Sequence, residues 1–283
     1  MEIQLKRAVR AGNSSAVILP KAWLNQEVRV ELVKKTPEII LSDVIEIAKK
    51  YIELSSIIGI YLTGSYARGE EDENSDIDIL VITNNIDKEL INEGIYNILI
   101  ISSDLLKQKL FQDLFPLGQM IKEAKPILNS SYLNSIEVKL TKKNLKWYID
   151  TTEDKLKLIR KVIDKMKTDN KKYASDKVSY TLILRIRTLH IIKKLIESKN
   201  YSKKEFMQII KKISKGTNSY GGYLDIKNNL GDTQKTSIDE IERLYEYLKG
   251  ELLEVRKLIN KFLKKNFVKH PIMICAIAKS LLI

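Results

Sequence analysis

Residues 64–82 read GSYARGEEDENSDIDILVI, and this stretch decides the fold. It opens with a Gly-Ser turn, where the missing side chain lets the backbone approach a phosphate group and the serine adds a hydroxyl. It closes with Asp76 and Asp78 at the start of an apolar run. Residues two apart on a strand share a face, so both carboxylates can hold Mg²⁺ while the neighbouring isoleucines enter the core. The apolar segment 57–62 predicts a further buried strand just before the turn.

The order of strand, Gly-Ser turn and Asp-x-Asp resembles the nucleotidyltransferase superfamily of DNA polymerase β, kanamycin nucleotidyltransferase and the minimal nucleotidyltransferases of archaea and bacteria. The Ala-Arg-Gly after the turn and the Ser-Asp-x-Asp match the usual forms of these motifs. The resemblance implies transfer of an NMP from an NTP to an acceptor, with release of pyrophosphate. It implies that Asp76 and Asp78 are catalytic and bind two Mg²⁺ ions, and that Gly64, Ser65 and Arg68 bind the triphosphate. The alternative is a hairpin with two solvent-facing aspartates.

One position departs from the superfamily pattern. Its members commonly carry a third carboxylate on the next strand, where it often acts as the general base. The apolar run 95–101 predicts that strand, but its central polar residue is Asn97, which cannot accept a proton from a hydroxyl. Glu93 and Asp104 flank the run and are possible substitutes. Loss of activity does not follow, because some relatives that keep the Gly-Ser turn and the Asp-x-Asp motif lack the third acid.

The segment 1–36 is expected to be a separate unit. Its Gly-Asn-Ser turn between β-rich runs predicts a hairpin, followed by one helical turn and an alternating strand at 28–33. The turn and the Leu-Pro-Lys-x-Trp-Leu that follows resemble the AbrB/SpoVT swapped-hairpin domain, in which two chains intertwine. The resemblance implies a homodimer that contacts DNA through the polar and basic residues Lys6, Arg7, Arg10, Asn13 and Ser14. A hairpin that only dimerises the chain is the alternative.

The rest of the chain divides into two parts, and the fold class is α+β. Residues 37–138 are expected to form a mixed-sheet catalytic domain, and 139–283 a helical bundle. Similar helical domains cover the acceptor in the kanamycin nucleotidyltransferase branch. Within the bundle, the Gly-rich stretch 215–223 predicts a loop. The acidic run 70–73 is expected to be a solvated loop, although Arg68 is also able to pair with it.

Charge and composition limit the partners and the compartment. The net charge is +13, with about −5 on residues 1–138 and about +18 on residues 139–283. The basic half favours an anionic partner, unless lysine is simply the default residue on its helix surfaces. No run of 18 apolar residues, no signal-peptide core and a single cysteine, Cys275, predict a cytoplasmic protein without membrane contact.

Two functions from different classes follow. The first is a Mg²⁺-dependent nucleotidyltransferase acting on a small molecule, a protein or an RNA end. The second is a DNA-binding regulator, or an antitoxin-like protein, that uses the nucleotidyltransferase fold as a sensor or as a pseudoenzyme. A weaker pattern is Arg185 followed five residues later by His190, which resembles the HEPN ribonucleases. Five residues rotate a helix by about 140°, so the two side chains are not expected to meet.

Overall fold

The structure is a computed structural model that describes residues 4, 6, 8–31, 35–72 and 75–269. Within these ranges, every helix is too short or too polar to span a lipid bilayer. The fold is α+β, with an N-terminal hairpin, a mixed sheet and a set of long helices. The sequence therefore predicted the fold class correctly.

The N-terminal hairpin consists of β1 (Val9–Ala11) and β2 (Ser14–Ala16), which pair antiparallel around the Gly-Asn turn. A single turn of 3-10 helix follows at Lys21–Trp23. The strand predicted at 28–33 is wrong for its described part, because residues 28–31 form no strand. A strand needs a partner for its backbone groups, and the described part of this chain places none beside that segment.

The central sheet has, among the described residues, five strands in the order β5-β6-β4-β3-β7. Strand β3 pairs antiparallel with β4 and with the edge strand β7, whereas β4 and β6 run parallel. The runs of isoleucine, leucine and valine explain the strands, because β-branched side chains fit a sheet buried on both faces. The strands are β3 (Ile57–Thr63), β4 (Ile77–Thr83), β5 (Ile91–Glu93), β6 (Tyr96–Ser102) and β7 (Lys125–Leu128).

Helices cover both faces of this sheet. Helix α1 (Pro37–Ala48) packs on the face that carries Ile77 and Ile79, both of which are fully buried as the alternation predicts. On the opposite face lie α3 (Ser103–Gln112) and α4 (Leu117–Glu123). Two short helices complete this part: α2 (Gly64–Arg68) and α5 (Ser130–Ser135).

Five further helices of the described chain surround a second apolar core. They are α6 (Lys142–Thr168), α7 (Asp176–Ile196), α8 (Lys203–Ser214), α9 (Asn218–Lys227) and α10 (Ile238–Lys269), with the short strands β8 (Tyr173–Ala174) and β9 (Thr236–Ser237) between them.

The loop predicted at 215–223 is wrong from Asn218 onward, because helix α9 begins at that residue. Tyr220 and Tyr223 are buried in the helical core, and packing against α7 outweighs the poor helix propensity of two adjacent glycines.

The sheet and the helical core meet where α3 ends and α6 begins. Asn144 donates its side-chain amide to the backbone oxygens of Leu110, at 3.0 Å, and Lys139, at 2.9 Å. The Tyr148 hydroxyl donates to the Asp113 carboxylate. Leu114, just after α3, belongs to the apolar core of the helices rather than to the sheet. The two halves are therefore packed against each other.

Candidate active site

The Gly-Ser turn and the second aspartate of the Asp-x-Asp motif lie against each other. Strand β3 ends at Thr63, whose hydroxyl donates to the backbone oxygen of Asp78 at 3.1 Å, and the next residue, Gly64, adopts a left-handed φ of 67°. A Cβ on Gly64 would come within 2.9 Å of Asp78 Cγ and closer still to a carboxylate oxygen. The structure thus brings the predicted phosphate-binding turn onto the predicted metal ligand.

Asp78 is half-buried near the start of β4, and Asp76 is exposed two residues before it. Burial raises the pKa of Asp78; the hydrogen bond from Asn97 opposes this effect, and the negative charge of Asp76 adds to it. A carboxylate in this environment gains from a nearby cation. The two carboxylates therefore repel each other, and a nearby cation would relieve this repulsion.

Asn97 occupies the position at which the superfamily commonly has a third carboxylate. The parallel register places it beside Asp78, and its amide Nδ2 donates to Asp78 Oδ1 at 3.2 Å. Neither possible substitute lies there. Glu93 binds Lys50 and Tyr51 at 2.7 and 2.8 Å, and Asp104 is an exposed residue facing Lys107.

The donor set fits Mg²⁺. No group of three acidic, histidine or cysteine side chains suited to a metal occurs in the described part of the chain. Mg²⁺ is commonly bound through one or two carboxylates plus substrate phosphates and water, so Asp76 and Asp78 are sufficient protein ligands. The raised pKa of Asp78 shows that this pair lacks full compensation from the protein itself.

Arg68 takes part in an ion-pair network, and its positive charge also lowers the pKa of Asp78. Its guanidinium donates to Glu70 at 2.9 Å and to Glu123 at 2.7 Å. The other oxygen of Glu123 accepts the Gly64 N–H at 3.0 Å. The pairing of Arg68 with the acidic run, which the sequence left open, is thus present.

The expectation that the acidic run 70–73 is a solvated loop is wrong for Glu70, which contacts the helical half. Its carboxylate accepts from the Ser202 hydroxyl at 2.5 Å and from the Lys203 backbone N–H at 2.9 Å, at the N-terminus of α8. Burial alone would raise the pKa of Glu70, but these donors and Arg68 lower it to about 2. An ionised carboxylate satisfies the free N–H groups of a helix start, which explains the contact.

Three cations of the helical half were missed by motif analysis. Lys227, in the last turn of α9, has its pKa lowered by the surrounding protein and by Arg187 and Lys203. Asp78 and Asp76 act on it in the opposite direction, and Lys227 in turn lowers the pKa of Asp78. We refer to Arg187, Lys203 and Lys227 as the cationic wall: Lys227 acts electrostatically on the acidic pair, Arg187 and Lys203 act on Lys227, and Lys203 also pairs with Asp72 at 3.4 Å. The excess positive charge of residues 139–283 was the only signal in the sequence.

Aromatic rings pack against Arg187 of the cationic wall. Tyr201 lies between two guanidinium groups, with Arg68 at 5.5 Å and Arg187 at 5.4 Å from its ring centroid. Tyr180 stacks on Tyr223 at 5.6 Å nearby on the same helices. Arg187 Nε is buried and has no hydrogen-bond partner among the described residues.

The predicted DNA-contacting residues form a separate group on the hairpin. Lys6, Asn13 and Ser14 are exposed, and Ser14 donates its hydroxyl to the backbone oxygen of Ala11 at 3.2 Å. Arg7 and the side chain of Arg10 lie outside the described residues. No described contact of these residues involves Asp76 or Asp78.

Arg185 and His190 do not form a joint site. Arg185 donates to the Thr151 hydroxyl at 2.9 Å and lies over the ring of Trp147. His190 is buried against Tyr201 and Phe206, and burial lowers its pKa. The two side chains contact different parts of the helical core, as the helical rotation predicts.

Comparison with known proteins agrees with this geometry. The nucleotidyltransferase domain profile matches residues 44–198, which is more than half of the chain. The chain therefore belongs to the nucleotidyltransferase domain family. No curated protein matches its sequence.

Two solved structures are similar to the chain. One is a spectinomycin adenyltransferase from Enterococcus faecialis, solved with ATP and spectinomycin, at 16% identity over 75% of this chain and 98% of that one, with a TM-score of 0.38. The other is a nucleotidyltransferase-like protein from Exiguobacterium sibiricum 255-15, at 13% identity over 82% of this chain and 81% of that one, with a TM-score of 0.32.

Proposed function

We propose that this protein transfers an NMP from an NTP to an acceptor and releases pyrophosphate. The observation that carries the proposal is the contact between the Gly64 backbone and the Asp78 carboxylate, because it puts a phosphate-binding turn beside a metal ligand. The family assignment supports the same reaction class. We propose residues 37–138 as the catalytic domain and 139–283 as the domain that covers the acceptor.

In this proposal the acceptor's nucleophile attacks the α-phosphorus, and the bond from that phosphorus to the bridging oxygen of the β-phosphate breaks. Asp76 and Asp78 would hold Mg²⁺, which would supply positive charge to the triphosphate when bound. Ser65 donates to a phosphate from the turn. Lys227, which acts electrostatically on Asp78, and Arg187, which acts on Lys227, would stabilise the negative charge that collects on the leaving pyrophosphate.

The acceptor's proton needs a separate route. Asn97 stands where the superfamily commonly places a base, and an amide cannot take a proton. We propose that the proton passes to water, which favours acceptors whose nucleophile is already ionised. A phosphate or carboxylate oxygen on a small molecule, a protein or an RNA end meets this requirement.

The test uses purified protein, each α-labelled NTP, Mg²⁺ and separate pools of RNA, soluble protein and metabolites. Label is expected in one pool with the wild type and in none with the double variant Asp76→Asn/Asp78→Asn. Asp104→Asn removes an exposed carboxylate of the same domain and serves as the matched control, with label expected as in the wild type. Equal labelling by the double variant would show that the assigned site is wrong.

A second function is proposed for the N-terminal unit 1–36, which we propose binds DNA as part of a homodimer. The supporting observation is that the hairpin and the segment after it expose large apolar side chains, which a second copy would cover. These are Val9, Ile18, Leu24, Val28 and Val30.

This second proposal is tested by light scattering and by DNA-binding assays on the full chain. We expect a dimer mass, with duplex DNA bound by the wild type and by Asp76→Asn. Lys6→Gln/Asn13→Ala is expected to lose the DNA and to retain transfer. A monomer that binds no DNA would exclude the regulator.

A further inference from the structure

A cavity of about 430 Å³ lies between the two halves, behind α2. One wall comes from α2, α4 and β7, and the other from the end of α7 and the connection to α8. Its volume is in the usual range for a small-molecule site, which is about 300–1,000 Å³. The residues that line it on the two sides include Arg68, Gln119, Lys122, Lys125, Ile191, Lys194, Leu195, Lys199, Asn200 and Tyr201.

Positive charge is in excess on these walls. Five cationic side chains line the cavity against two carboxylates, Glu70 and Glu123, and Arg68 already binds both carboxylates. Lys194 and Lys199 have ion-pair partners outside the lining. Lys122 and Lys125 are exposed and form no ion pair with any described residue. Two lysines therefore remain for an anionic ligand.

The cavity adjoins the candidate active site. Arg68 and Glu123 line it, and Glu123 also accepts the Gly64 N–H of the Gly-Ser turn at 3.0 Å. Tyr201, whose ring contacts Arg187, is a further lining residue. Among the described residues that line the cavity, none is Ser65, Asp76, Asp78 or a member of the cationic wall.

We propose that this cavity binds a small molecule carrying two phosphate groups. Lysine ammonium groups bind phosphate as point charges. Lys122 and Lys125 line one wall, and Lys199 lines the other, where its solvent-accessible ion pair with Glu197 is weak enough for a phosphate to replace. Asn200 adds a neutral amide to the lining, and Ile191 and Leu195 offer an apolar surface for the carbon skeleton. Asp76 and Asp78 do not line the cavity, so binding there is tested apart from the transfer reaction proposed above.

The test measures binding of fructose 1,6-bisphosphate, a compact bisphosphate unlike a triphosphate, by titration calorimetry with EDTA present. The wild type is expected to bind one molecule. Lys122→Gln/Lys125→Gln is expected to bind at least about tenfold more weakly, because two charge-assisted hydrogen bonds are lost. Lys227→Gln, on the cationic wall, is expected to bind like the wild type.

Lys161→Gln/Lys257→Gln removes two exposed lysines elsewhere in the helical half and controls for net charge. If it weakens binding as much as the cavity variant, the attraction is diffuse and the proposal is wrong. Equal weakening by Lys227→Gln would assign the ligand to the active site and also overturn it. No binding by the wild type at concentrations up to millimolar would exclude the site. Thermal unfolding of each variant checks that the fold is retained.

Discussion

At the residue scale, Gly64 meets two demands at once. Its φ of 67° lies in the left-handed region, and the space where a Cβ would stand is taken by the Asp78 carboxylate. Gly69, at the end of the same short helix, has a φ of 68° but nothing within 4 Å of its missing Cβ. Both glycines therefore have a left-handed backbone, but only at Gly64 would a Cβ clash with Asp78.

We expect Gly64→Ala to abolish transfer and to lower stability by more than the roughly 1–3 kcal/mol that a left-handed backbone costs an ordinary residue. Gly69→Ala is the matched variant and should show only that backbone cost. Urea unfolding and the labelled-NTP assay measure both. If the two variants behave alike, contact with Asp78 is not what Gly64 provides.

Glu70 predicts a pH dependence of stability. Its folded pKa of about 2 is below the ordinary 4.5, so its stabilisation is present above about pH 4.5 and is lost as the pH falls toward 2. The shift corresponds to at most about 3 kcal/mol. Glu70→Gln should therefore have a lower free energy of unfolding than the wild type at neutral pH. This gap between the two free energies should narrow as the pH falls.

Urea unfolding at several pH values between neutrality and about pH 3 measures this gap. Glu53→Gln, at an exposed position before β3, is the control and should give a small difference at every pH. A gap for Glu70→Gln that stays constant with pH would assign its effect to packing instead of charge.

At the element scale, local pattern predicted strands β3, β4 and β6 and the Gly-Ser turn, because these depend on neighbours in sequence. Alternation placed Ile77 in the core and Asp78 on the opposite face of β4. The edge strand β7 was not predicted, because it pairs with β3 about 65 residues earlier. Helix α9 was predicted as a loop, since its glycine pair has a packing role that the sequence alone does not show.

Gly222 is the packing glycine of that pair. A Cβ there would come within 2.7 Å of Asp176 Cγ, whereas on Gly221 it would only touch Lys235 at 3.4 Å. Asp176 is fully buried and accepts hydrogen bonds from Thr233 and Thr236. Displacing it would disturb a buried polar network.

We expect Gly222→Ala to destabilise the protein by a few kcal/mol, about the cost of overpacking a core. Gly221→Ala should be neutral or stabilising by up to about 1 kcal/mol, because alanine has the higher helix propensity. Thermal and urea unfolding decide the matter. Similar losses in both variants would mean that α9 does not tolerate alanine for some reason other than Asp176.

At the scale of the whole molecule, the acidic pair and the cationic wall come from different halves. No local motif marks Lys227, because its relation to Asp78 exists only when α9 packs across from the sheet. The charge asymmetry of the chain pointed to an anionic partner but to no residue. Long-range placement of this kind cannot be read from spacing along a helix.

Lys227→Gln should raise the KM for NTP by about tenfold, the value of one charge-assisted contact, with a smaller change in kcat. The difference from the wild type should shrink as salt is added, because screening weakens the attraction between an exposed ammonium and phosphate. Lys212→Gln, on an exposed face of α8, is the control and should match the wild type. An unchanged KM in Lys227→Gln would remove Lys227 from the substrate site.

The hydrogen bonds of Glu70 to the start of α8 have a consequence for how such chains diversify. Six residues after Glu70 comes the first aspartate of the motif, and the partner of Glu70 is 132 positions further along the chain. A recombinant joining residues 37–138 to an unrelated bundle would inherit the motif without the Ser202 that holds its loop. The halves are therefore not interchangeable modules. If related chains exchanged their helical bundles during evolution, the residues at positions 70 and 202 would have to change together.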